Sequence, residues 1–311
     1  MLEIKETNAD IAQNLIDIIP IDYLPFKEYK CINLINIKNY YLLYLIEQSI
    51  SSESYNISLY DNKNLVGLLI CNLNKFDSHY FGFNCYNITD LIILSDKYDK
   101  IQYYCKALVK NLENHLQSKQ QKYYLSIGIN NSHPNNNLIF NAIVNCGFFF
   151  IHTLITFAIT NKYYINKSDY YIDNINIRLV RESDVDEIAK LASKSFYFSR
   201  FHLDPYLDKD DANKLLKDSA INSIINHYVD VMYVAECEGK IIGYYSGKKQ
   251  HINSLGISFG KAIISAVNDS YRGKGIFSLL DAWLLNWFIE NTTIAEMGTY
   301  LANYPVHRTW I

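Results

Sequence analysis

Residues 263–277, IISAVNDSYRGKGIF, constrain this chain more than any other stretch. An apolar, β-prone run leads into Arg272, Gly273, Lys274 and Gly275, and an apolar helical run begins at once with Ile276 and Phe277. A strand that delivers a glycine-rich turn to a helix N-terminus gathers free backbone N–H groups and the positive end of a helix dipole at one point. Such a turn suits a pyrophosphate. Two better-known versions fail on spacing. The phosphate loop G-x-x-x-x-G-K-[ST] is absent, and a dinucleotide fingerprint needs a third glycine where Phe277 or Ser278 stands.

The chain around this loop has 311 residues, room for two domains that each bury a core. With 49% hydrophobic and 20% charged residues and a mean hydropathy of -0.09, it reads as globular. No apolar run reaches the roughly 18 residues of a membrane span. The first residues, MLEIKETNADIAQ, carry early acids and no apolar secretory core, so the expectation is a cytoplasmic protein without a membrane partner. A net charge of -3 argues against nucleic acid as a partner, while a local basic loop can still hold a small anion. Six widely spaced cysteines form no C-x-x-C pair and read as reduced thiols, with no metal site expected.

The order of elements predicts an α/β chain made of two similar halves. In the first, a hairpin over 55–60 and 65–72 precedes an aromatic cluster at 76–83, read as core packing at a bend. A strand at 88–94, a helix over 98–118, a strand at 123–129, a short helix at 137–145 and a closing strand at 148–160 follow. The first 50 residues resist placement. A polar linker is expected at 161–174, dividing a domain 1–170 from a domain 175–311. The second half runs strand 175–180, helix 184–195 capped by Ser183, loop 196–206, helix 210–226, hairpin 231–246, strand 257–267, the glycine loop, helix 276–292 and strand 294–300. A helix begins near Asn303. No strand follows it, so the second copy is expected to lack its last strand, as in a shortened chain.

The run Arg272-Gly273-Lys274-Gly275-Ile276-Phe277 resembles the Q/R-x-x-G-x-G/A acyl-CoA loop of the GNAT N-acetyltransferases, with Phe277 departing from the small last residue. Residues 199–205, residues 76–83, and Thr299 with Asn303 and Pro305 further resemble the two-domain dTDP-fucosamine acetyltransferase (WecD-like) family. The resemblance implies two GNAT-like domains, the N-terminal one degenerate, and direct transfer of acetyl from acetyl-CoA to the amino group of a nucleotide-linked deoxy sugar. It implies that Ala266 and Val267 offer backbone groups to the pantetheine arm and that Arg272 to Phe277 hold the pyrophosphate. Asn303 is implied to touch the CoA arm, and Arg200 and His202 the sugar diphosphate. It also suggests a homodimer. The family's tyrosine acid falls on Trp310, whose indole is no useful proton donor. For the base, Glu236, Glu238, His251 and Glu296 all stand on or beside predicted strands, and Glu236 is taken as the candidate. Another amine as acceptor (a polyamine, an amino acid or a protein N-terminus), and a CoA-binding or structural protein without activity, stay open.

Overall fold

The strands of the chain sort into two sheets in the computed structural model, which describes residues 1–130, 135–160, 170–195 and 199–310. Contacts divide the molecule into units Met1–Phe150 and Ile151–Ile311.

The first unit contains β1 (Leu2–Glu6), α1 (Ala9–Ile18), α2 (Leu34–Ile50), β2 (Ser54–Asp61), β3 (Asn64–Leu73), α3 (Lys75–Phe81), β4 (Asn84–Ile93), α4 (Tyr98–Ser118), β5 (Tyr123–Ile127) and α5 (Asn136–Val144). Its sheet has the order β1-β2-β3-β4-β5, antiparallel until the last pair, β4 and β5, which is parallel. A parallel pair needs a long crossover, and α4 supplies it. Its apolar stripe (Ile101, Cys105, Leu108, Leu112, Leu116) is buried against sheet residues such as Leu59, Leu69 and Ile88. The stretch that resisted placement folds because Asn8 and Asn33 accept first-turn N–H groups as N-caps of α1 and α2. The aromatic cluster expected at a bend is instead the helix α3. Asn74 caps it at its start, and Gly82, at φ +67, ends it in the left-handed region.

The second unit contains β6 (Leu154–Thr160), β7 (Ile175–Leu179), α6 (Val185–Ser195), α7 (Arg200–Leu203), α8 (Lys209–Ile225), β8 (Val231–Cys237), β9 (Lys240–Ile252), β10 (Ile257–Val267), α9 (Ile276–Asn291), β11 (Ile294–Tyr300) and α10 (Tyr304–Trp310). Read from β7, the sheet order β7-β8-β9-β10-β11 repeats that of the first unit, and β10 and β11 are again parallel with a helix, α9, between them. The side chain of Asp184, rather than Ser183, accepts the Arg181 N–H at the entry to α6.

One element differs in its partner from expectation. Residues 148–160 were expected to close the first half, yet β6 lies beside β11 with all seven residues paired, Leu154 to Tyr300 through Thr160 to Ile294. The position next to β11 is thus filled by a strand from before β7. The boundary between units falls after Phe150 rather than at 170, and most of the expected linker, residues 161–169, lies outside the described residues.

Candidate functional site

The loop before α9 is built by turns that leave its donors free of side-chain caps. Asn268 donates its N–H to the Ile242 carbonyl at 2.8 Å, fixing the end of β10 to the sheet, and its side chain accepts from Ser270 N–H at 3.0 Å. Gly273 and Gly275 then take φ +73 and +81, a region that costs other residues about 1–2 kcal/mol. Gly275 is the N-cap of α9, and because it has no side chain, no side-chain oxygen accepts from the first turn. A helix of 16 residues therefore points its N–H groups and its dipole at the loop.

The two basic residues of the loop play different parts. The Arg272 guanidinium pairs with Asp269 at 2.9 Å and donates to the carbonyls of Val267 (3.3 Å) and Ser195 (3.4 Å), tying the loop to β10 and α6. Lys274 is exposed, its ammonium 5.0 Å from the Tyr271 ring. Phe277 packs against the core of this unit. Its ring faces inward, 5.3 Å from Tyr245 and 6.2 Å from Trp310.

Beside the loop the sheet opens. β10 and β11 are paired only over Phe259–Lys261 and Ile294–Glu296, although β10 runs on to Val267 and β11 to Tyr300. The cause is a bulge in β10. Between Ala262 and Ser265 the strand spends one residue more than β9 does between Gly247 and Tyr245, which bends it away from β11. The β11-facing edge of β10, including Ala266 and Val267, is thereby left without a strand partner. Across the opening, Asn303 donates its side-chain N–H to Thr299 Oγ1 at 2.9 Å and caps α10 through its carbonyl.

Where the tyrosine acid was expected, Trp310 donates its indole N–H to Asp281 Oδ1 at 3.1 Å. Asp281 sits in the second turn of α9, 4% exposed, and burial pushes its carboxyl up to about 7 while the Trp310 hydrogen bond works in the opposite direction. Asp281 was not anticipated. The clue was present, since it lies four residues after Phe277, on the same helix face, as the one charge among Leu279, Leu280, Ala282, Trp283 and Leu284. Ser278 and Thr309 also meet, at 3.4 Å, so α10 packs on the first turns of α9.

The remaining candidates are placed elsewhere or already engaged. Glu236 is not brought to the opening. It stands on β8, with β9 between it and β10, and accepts from Arg178 Nε at 2.6 Å, while the same guanidinium holds Asp184 at 2.7 and 3.0 Å. The sequence hid this, because the partner is 58 residues away. His202 has both ring nitrogens engaged, Nδ1 with Ser199 Oγ (2.6 Å) and Nε2 with Asn213 Oδ1 (2.9 Å), so it braces α7 on α8. The Arg200 backbone N–H donates to the Tyr300 hydroxyl at 3.3 Å, bringing α7 to the end of β11, and its guanidinium lies 4.1 Å over the Phe201 ring. His152 meets the Tyr300 ring edge-on at 4.7 Å, and burial lowers its pKa. Residues 196–198 of the expected loop lie outside the described residues.

No family model matches the chain. The spore coat polysaccharide biosynthesis protein SpsD of Bacillus subtilis is 28% identical over 163 residues, 52% of this chain and 53% of that protein, so the match spans about half of each. Solved structures are similar over nearly the whole chain. A GCN5-related N-acetyltransferase from Sphaerobacter thermophilus has a TM-score of 0.61 at 11% identity, covering 99% of this chain and 91% of that one. The GCN5-related glucosamine N-acetyltransferase region of a fungal multi-domain GH3 β-N-acetylglucosaminidase scores 0.60 at 11% identity, covering 99% of this chain and 36% of that one. A tandem GNAT protein from the clavulanic acid biosynthesis pathway scores 0.51 at 10% identity, covering 99% and 93%. At these identities the likeness establishes the architecture, and the chain is a mixed α/β protein with the GCN5-related N-acetyltransferase fold in tandem.

Proposed function

We propose that this protein is an N-acetyltransferase that moves acetyl from acetyl-CoA to the amino group of a small acceptor, an amino-deoxy sugar carried on a nucleotide being favoured. The observation that carries the reading is the uncapped N-terminus of α9 behind Gly273 and Gly275, set beside the opening between β10 and β11. The N–H groups from Gly273 to Phe277 would hold a pyrophosphate, with Lys274 adding charge and Arg272 bracing the turn from behind. The unpaired edge at Ala266 and Val267 would offer amide donors and acceptors to the pantetheine arm, and one such N–H to the thioester oxygen. Bound acetyl-CoA would supply an activated thioester, so no covalent bond to the protein is needed.

Two names support a sugar acceptor: SpsD is a polysaccharide biosynthesis protein, and the fungal region is described as a glucosamine N-acetyltransferase. Trp310 favours a second reading, a protein that binds CoA without transfer, since the resemblance puts the family's acid at this residue and its indole is engaged with Asp281. Free-thiol release from acetyl-CoA, measured with dTDP-amino sugars, glucosamine, a polyamine and an amino acid, separates the readings. The proposal expects release that depends on an amino sugar. Release with the polyamine or the amino acid alone would move the acceptor, and CoA binding with no release on any amine would establish the second reading.

A further inference from the structure

The first unit repeats the device that opens the sheet in the second. β4 and β5 are paired only from Asn84–Tyr123 to Ile88–Ile127, and β4 continues to Ile93. Here too a bulge falls where pairing stops, since Ile70 pairs with Asp90 and the next residue, Cys71, with Ile88, leaving Thr89 extra. Between the parted strands and the start of α5 lies a cavity of about 110 Å³, lined by Tyr23, Tyr41, Asp90, Gly128, Ile129 and Asn136 among others. That is space for several waters or a small organic molecule.

A pyrophosphate loop is missing from this unit. The turn into α4 reads Ser95-Asp96-Lys97, without glycine. The polar groups in the cavity are of another kind. Asp90 is partly buried and accepts from the Tyr41 hydroxyl at 2.6 Å on one oxygen and from the Tyr44 hydroxyl at 2.7 Å on the other. The Thr89 hydroxyl is a third partner, which leaves the carboxylate room for one more donor. Among the described residues no lysine or arginine pairs with it, and burial pushes its carboxyl pKa up. Asn136 is 6% exposed, and its Nδ2 has no hydrogen-bond partner among the described residues. A buried amide donor without an acceptor is a costly arrangement, and a partly buried carboxylate without a cation beside it adds a negative charge to the same cavity; a ligand of defined chemistry answers both. An ammonium would satisfy Asp90, and an oxygen on the same molecule would satisfy Asn136.

We propose that the cavity between β4, β5 and α5 is a binding site for a small amine that carries an oxygen acceptor near its ammonium group, as an amino alcohol or an amino sugar does. Ammonium donates to the remaining lone pair of Asp90, the ligand oxygen accepts from Asn136 Nδ2, and Tyr41, Tyr44 and Thr89 hold the carboxylate in place. The site belongs to the first unit and stands independently of acetyl transfer in the second.

The test uses the full chain without acetyl-CoA and follows the side-chain amide signals of Asn136 by NMR, assigned by their loss in Asn136→Leu, as 2-aminoethanol or ethane-1,2-diol is added. A saturable shift with the amine, at least about tenfold tighter than with the diol and at least about tenfold weakened in Asp90→Asn, is expected. Tyr41→Phe, which keeps the carboxylate, is expected to retain the preference for the amine and guards against misfolding of the Asp90 variant. An Asn136 signal that does not move, a diol that binds as well as the amine, or an Asp90→Asn protein with wild-type affinity would each overturn the proposal.

Discussion

Replacing Asp281 by Asn tests the physical reading of the α9–α10 seam. The carboxyl is pushed from its ordinary 3.8 up to about 7, because it is almost completely buried and, among the described residues, meets an indole N–H but no cation. One decade in proton affinity corresponds to about 1.4 kcal/mol, so holding the ionised form in place costs the fold about 4 kcal/mol. An acid whose folded value lies above its unfolded value stabilises the fold fully only below the ordinary carboxylate range, and that contribution is lost as pH rises towards 7. About half of the loss, ~2 kcal/mol, falls between about pH 5.5 and about pH 8.5. Asn is neutral throughout and keeps an acceptor for Trp310. The three tryptophans, Trp283, Trp287 and Trp310, all lie in the second unit, so fluorescence during urea unfolding reports on that unit. Asp281→Asn is expected to be more stable than wild type at both pH values, with a lead that widens by ~2 kcal/mol at the higher one. A lead that stays constant with pH would show that Asp281 titrates as an ordinary carboxylate.

The same fluorescence transition reads two further substitutions. A Cβ at Gly260 would lie 2.7 Å from Phe288 Cδ1 and 2.9 Å from the Ala295 Cβ, and Phe288 is fully buried, so Gly260→Ala should cost about 1–3 kcal/mol; an unchanged transition would mean that β10 and α9 are not packed as described. Glu236→Gln should lower stability by about 1 kcal/mol, by weakening its bond to Arg178, and leave the rate of thiol release at the wild-type level. A loss of rate without loss of stability would return Glu236 to the list of bases.

The glycine loop was legible because its signal is local: Gly273 and Gly275 are required where φ is positive, and the apolar runs on either side fix a strand and a helix. The repeat of the halves was legible for the same reason, element by element. What stayed hidden was partner choice. The apolar pattern of β6 (Leu154, Ile155, Phe157, Ala158, Ile159) announces a strand but not which sheet receives it, since pairing with β11 joins residues more than a hundred positions apart. Glu236 looked available as a base for want of any view of Arg178. The helix α3 was hidden although its caps, Asn74 and Gly82, stand in the sequence, because aromatic residues packed this densely suit a core bend as well as a short helix. Asp281 was missed because a single acid in an apolar helix has no partner within its own segment.

The central claim, that the turn from Arg272 to Phe277 holds the pyrophosphate of coenzyme A, is tested most directly by calorimetric titration of the full chain with coenzyme A and, separately, with pantetheine, which lacks the diphosphate. One equivalent of coenzyme A is expected to bind, with an affinity at least about a hundredfold above that of pantetheine. Equal affinities, or no saturable binding of coenzyme A, would contradict it.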